Sequence, residues 1–187
     1  MNESLGRALL VRARNAIASE FGELGEPPVA EPEDAALASP GATFVTLTQD
    51  GRLRGCIGSL EAHRALDADV RANARAAAFQ DPRFTPLTAD ELPRTRVEVS
   101  LLTPAMPIEF TDEEDALRQL RPNVDGVIFE WQGRRSTFLP QVWESLPTPA
   151  MFLAHLKQKA GLPADFWAPD VKLHRYEVQK WKEAQKS

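Results

Sequence analysis

Three features of the 187-residue chain predict an α+β fold with a mainly antiparallel sheet. Two hairpin signatures, Asp50-Gly51 and Gln132-Gly133, each separate short runs rich in strand-forming residues. Helical stripes lie between these hairpins rather than after every strand, which argues against strict βαβ units. No internal repeat is present, and the length suits one domain, or one domain with a small appended lobe.

From Ser4 to Phe21, Leu5, Leu9, Ala13, Ala16, Ile17 and Phe21 recur at three-to-four spacing, which predicts an amphipathic helix. The segment 22–41 holds four prolines and five acids with no base. Its composition predicts a surface loop with one short turn at Asp34–Ala38, dispensable for folding because it offers little to bury. Thr43–Thr48 and Arg52–Ser59 flank the first hairpin turn. Ala65–Gln80 reads as an alanine-rich, closely packed helix stopping before Asp81-Pro82, and Arg96–Leu102 alternates as a half-buried strand. Two capping boxes are expected, Thr88 with Glu91 and Thr111 with Glu114. Val127–Trp131 and Arg134–Leu139 form the second hairpin. Thr148, Pro149 and Gly161 frame a helix, Val171–Val178 reads as a late strand, and Trp181 onwards as a fraying polar tail.

The composition is 43% hydrophobic and 26% charged, that of a globular chain rather than a disordered or rod-like one. A net charge of -5 excludes a general phosphate-backbone binder and leaves only a local basic patch open. The single cysteine excludes an intramolecular disulfide and fits a reducing cytoplasm. The polar, acidic start and the lack of a long apolar run predict neither secretion nor a membrane span, hence a cytoplasmic protein. His63, His155 and His174 are far apart and match no metal-binding spacing, so no metal site is predicted.

Chemistry concentrates in four segments. In Leu53-Arg54-Gly55-Cys56-Ile57-Gly58 a two-residue period would put Arg54 and Cys56 on one strand face, where a guanidinium favours the thiolate. A lone cysteine is equally a small buried hydrophobe, and strand glycines equally mark a bulge. Asp81-Pro82-Arg83-Phe84 is either a helix-ending turn with a solvated ion pair or part of a cleft wall. Gln141 and Glu144 suit a hydrogen-bonding wall or a general base, and also an ordinary strand exit. Lys159-Ala160-Gly161-Leu162 reads as a helix C-terminus.

Leu-Arg-Gly-Cys-Ile-Gly at 53–58, Asp-Pro-Arg-Phe at 81–84, Val-Ser-Leu-Leu at 99–102, Phe-Leu-Pro-Gln-Val at 138–142 and Lys-Ala-Gly-Leu at 159–162 together resemble the AMMECR domain family. Its prokaryotic members are called AmmeMemoRadiSam system protein A. The resemblance runs in order along nearly the whole chain. It implies an antiparallel sheet with flanking helices and a smaller lobe, a cleft between the parts, and association with a Memo-type protein and a radical-SAM protein. It names no reaction and leaves the cofactor unknown. Carried over residue by residue, it makes Arg54, Gly55, Cys56, Gly58, Asp81, Arg83, Phe84, Gln141, Glu144 and Lys159 the candidate site. Many members carry a second cysteine before Lys-Ala-Gly-Leu, where this chain has Leu156-Lys157-Gln158.

Two functions are carried forward. In the first, an enzyme or enzyme component uses Cys56 as nucleophile or covalent carrier, Arg54 to hold it ionised and Glu144 or a histidine as proton acceptor, with Arg83 binding an anionic substrate. In the second, a non-catalytic adaptor docks a partner or small anionic ligand and Cys56 is merely packed. The state of the thiol separates them.

Overall fold

The computed structural model describes residues 3–23 and 34–184. The fold is α+β, with two four-stranded antiparallel sheets. The chain divides into two compact units, one running to Leu102 and resuming at Gln179, the other spanning Thr103–Val178. Each has its own hydrophobic core. Among the described residues no helix is long and apolar enough to cross a membrane.

The first unit contains α1 (Glu3–Ser19), α2 (Asp34–Ala38), β1 (Ala42–Gln49), β2 (Arg52–Gly58), α3 (Leu66–Phe79) and β3 (Arg96–Leu102). The second contains β4 (Met106–Pro107), α4 (Glu113–Gln119), β5 (Gly126–Trp131), β6 (Arg134–Phe138), α5 (Pro149–Lys159) and β7 (Lys172–Tyr176). The chain then returns through β8 (Val178–Lys182) to the first sheet, whose order is β2-β1-β3-β8. The second sheet is ordered β4-β7-β5-β6.

Alternation puts Val45 and Leu47 of β1 and Val97 and Val99 of β3 on the core face, where all four are fully buried. They join the apolar stripes of α1 (Leu9, Ala13, Ile17) and α3 (Val70, Ala74, Ala77). Small residues on α3 let the helix lie close to the sheet. The Asp50-Gly51 and Gln132-Gly133 turns both have positive φ at their two residues, as primed hairpin turns require.

Several expectations need correction. Of the proline-rich segment, residues 24–33 lie outside the described residues, but Leu37 of α2 is buried in the first core. Pro40 also bridges Ala65, so the second half of this segment is part of the packing. The cap of α4 is Asp112, whose side chain accepts from Asp115 N at 2.8 Å, one residue past the expected Thr111. The late strand is two strands, because Glu177 breaks it and β7 and β8 pair in different sheets. Trp181 is no tail residue: only 6% exposed, it packs where Gly6 of α1 has no side chain to obstruct the indole.

Candidate functional site

Cys56 lies on β2, one of the two edge strands of the first sheet, opposite Thr46 of β1. Its Sγ is 3.4 Å from Thr46 Oγ1. The backbone groups of an edge residue that its neighbouring strand does not use need other partners. Here the Asp81-Pro82-Arg83-Phe84 loop supplies them: Cys56 N donates to Asp81 Oδ2 at 3.0 Å, and Arg83 Nη2 donates to Cys56 O at 3.4 Å. Arg83 grips the same carboxylate through Nε at 3.0 Å and Nη2 at 2.7 Å, and its own backbone N donates to Asp81 Oδ1 at 3.0 Å. This fork holds the Asp81 carboxyl well below the usual carboxylate range, despite the opposing effect of burial. The Asp-Pro-Arg turn thus completes hydrogen bonding at the sheet edge.

The strict alternation expected of β2 does not run through Arg54. Leu47 pairs with Gly55 and Thr48 with Leu53, leaving Arg54 as the extra residue of a bulge. Its guanidinium turns to Glu91, at 2.9 Å, and lies 5.9 Å from the Phe84 ring. Arg83 approaches the same ring at 5.5 Å. Arg54 Nη1 is buried without a hydrogen-bond partner. Gly55 admits no Cβ, which would strike Ala77 O on α3, and a Cβ on Gly58 would strike the Phe44 ring.

Burial pushes the Cys56 thiol up. The Thr46 hydroxyl and the Arg83 charge act the other way but do not overcome it, while Asp81 and Glu98 add to the rise. The cation acting on the thiol is therefore Arg83 rather than Arg54, and of the two states left open by the sequence the surroundings favour the neutral thiol.

Gln141, Glu144 and Lys159 belong to the other unit. Gln141 and Glu144 are exposed on the 3-10 turn Pro140–Glu144, where the sequence expected a plain strand exit or a polar wall. Lys159, in the last turn of α5, donates to Thr137 O at 2.9 Å and lies 5.1 Å from the Phe138 ring. Burial pulls its ammonium down. Tyr176 OH is 2.9 Å from Thr137 Oγ1 and 3.2 Å from Phe138 O, and burial pushes its phenol up to about 12.

The sequence profile of the AMMECR1 family matches residues 10–181. The chain belongs to the AMMECR1 family. A protein of Thermotoga maritima is 40% identical over 164 residues, covering 87% of this chain and 88% of that relative. One of Methanothermobacter thermautotrophicus is 42% identical over 143 residues, covering 73% and 72%. The crystal structure of an uncharacterized protein from Pyrococcus horikoshii is similar at a TM-score of 0.84 and 34% identity, over 98% of this chain and 93% of that one.

Three polar clusters of this AMMECR1-family chain escaped the sequence reading. In the first unit the fully buried Asp69 accepts from Thr43 N and Oγ1, Ser59 Oγ, Arg64 Nε and Asn73 Nδ2. It ties α3 to the start of β1 and the exit of β2. In the second unit Asp125, fully buried, accepts from Arg121, and Lys157, 1% exposed, pairs with Glu113. The one available signal was an acid or lysine on the buried stripe of a helix, as with Asp69 and Lys157. Among the described residues no group of three or more His, Cys, Asp or Glu could hold a metal ion.

Proposed function

We propose that the chain is a non-catalytic binding subunit, in which the loop carrying Arg83 and Phe84 beside the β2 edge docks a partner or an anionic group. The observation carrying this reading is the commitment of these side chains to structure: Asp81 and Arg83 clamp the Cys56 backbone, Arg54 is engaged by Glu91, and burial raises the thiol. The Arg83 side chain is nonetheless 56% exposed, so its remaining donors can reach a carboxylate or phosphate on a partner. The partners are those implied by the family resemblance, a Memo-type protein and a radical-SAM protein. The test is calorimetric titration with a purified Memo-type protein. Cys56→Ser should bind as the parent does, whereas Arg83→Glu with Phe84→Ala should weaken binding at least about tenfold. Loss of binding only in the cysteine variant would overturn the adaptor reading.

A second reading has specific support. Thr46 and Arg83 both favour the anion of Cys56, which supports a cysteine-dependent enzyme component in which Cys56 is the nucleophile and Arg83 holds an anionic substrate. An electrophile that labels Cys56 faster than it labels a free thiol would favour this reading.

A further inference from the structure

The first unit contains a cavity of about 920 Å3 that includes none of the residues around Cys56. Its walls come from α1 between Glu3 and Asn15, the β1–β2 turn, the end of the 3-10 helix Ala89–Arg94, the start of β3, and β8. Six cationic side chains line it, Arg7, Arg14, Arg94, Arg96, Lys180 and Lys182, against the three acids Glu3, Asp50 and Glu183. This surplus of three positive charges is set in a chain whose net charge is -5. Such a local reversal of sign, within a concavity, focuses potential on whatever enters it.

The cations divide into two groups. Arg14 is fixed, gripping Glu183 through Nε and Nη2 at 2.5 and 2.7 Å and donating to Thr95 O. Arg96 Nε donates to Glu183 O, and Lys180 and Lys182 reach Glu98 at 3.2 and 3.5 Å. Glu183 is further occupied by Val97 N at 2.9 Å, so it is a structural anchor. Arg7 and Arg94, by contrast, are exposed and pair with no carboxylate among the described residues. Leu10, Val11 and the buried indole of Trp181 supply apolar wall between the charges.

We infer that this cavity binds a small multivalent anion, a molecule with two or more phosphate or carboxylate groups and a compact apolar part. Its volume is at the upper end of the roughly 300–1,000 Å3 usual for small-molecule sites, and guanidinium forks match both anions. A bounded concavity of this size suits a metabolite rather than a length of nucleic acid, which needs an extended basic stripe.

The full-length protein is titrated by calorimetry at about 0.15 M salt, where exposed charges more than about 8 Å apart are largely screened. Inorganic pyrophosphate and citrate are the two probes, and the tighter one identifies the anion type. Saturable binding with one site per chain is expected. Arg7→Glu with Arg94→Glu should weaken it at least about tenfold, Arg7→Gln with Arg94→Gln less, and Lys172→Glu, at an exposed position of β7 outside the cavity, should not change it. Since Arg7 and Arg94 are exposed, unchanged thermal unfolding of these variants verifies the fold. No saturable heat with either probe, or binding that survives both double variants, would overturn the inference.

Discussion

At Cys56 two opposing effects meet, a nearby guanidinium favouring the anion and burial favouring the neutral thiol, and burial is the larger. Alkylation of the native protein should therefore show its inflection above the ordinary thiol value of about 8.5. Arg54→Leu should leave that inflection in place, since Arg54 is turned to Glu91, and denaturant should restore the free-thiol rate. With one cysteine in the chain, the reacting thiol is unambiguous. An inflection below the reference, or one moved by Arg54→Leu, would contradict this electrostatic account. Tyr176 provides a second titration, being the chain's single tyrosine. Its folded value of about 12 lies above the unfolded value of about 10. The neutral phenol thus contributes stability fully present below pH 10 and lost as pH rises through 12. Tyrosinate absorbance should develop near pH 12 in the folded protein and near 10 in denaturant, and a native midpoint near 10 would show that the phenol is solvated. For Asp81 the sign is reversed: its carboxyl is held low, so its contribution is present above about pH 4 and lost as acid protonates it. Arg83→Leu removes the grip, and its acid-unfolding midpoint, followed by circular dichroism, should move to higher pH.

At the level of elements, β2 packs so closely on α3 that Gly55 lies directly against Ala77 O. Gly55→Ala must displace helix backbone, which cannot rotate away as a side chain can. It should cost roughly 1–3 kcal/mol in denaturant unfolding. Leu37→Ala should cost about 2–3 kcal/mol, because α2 is fastened into the first core. A change within measurement error for either would place the close contact, or α2, outside the cooperative core. Elements specified by local signals were legible in the sequence. The stripe Leu66, Val70, Ala74, Ala77 and Ala78 of α3 is buried as its spacing demands, and Thr148 and Gly161 bound α5 as its cap residues demand. What was illegible depends on distant partners. The bulge at Arg54 is a property of the pairing between β1 and β2, not of either strand's composition. Trp181 looked like part of a polar tail because its neighbours are Lys and Glu, and only the gap over Gly6, 175 positions earlier in this 187-residue chain, explains its burial. The candidate site divides likewise: the motif around Cys56 was visible, whereas the role of Asp81 and Arg83 as partners of an edge-strand backbone required knowing which strand lies at the edge.

Across the whole molecule, the second unit is an insertion between β3 and β8 of the first sheet. Its two ends meet, since Thr103 N donates to Glu177 O and Glu177 N donates to Thr103 Oγ1, each at 2.8 Å. Such an arrangement keeps each hydrophobic core within its own unit while the chain crosses between units twice. Domain insertion is tolerated where the entering and leaving strands are already neighbours, because little loop-closure entropy is lost when the insert is exchanged for a turn. Replacing Thr103–Val178 with Asn-Gly should therefore turn β3 and β8 into a hairpin and leave a chain that unfolds cooperatively. The anion cavity is lined entirely by first-unit residues, so this shortened chain should retain pyrophosphate or citrate binding within about threefold of the full protein, a difference under 1 kcal/mol. Cooperative unfolding with lost anion binding would mean that the cavity depends on the insert. A broad, non-cooperative transition would mean that the first core, although complete in its own residues, is too small to fold without the second.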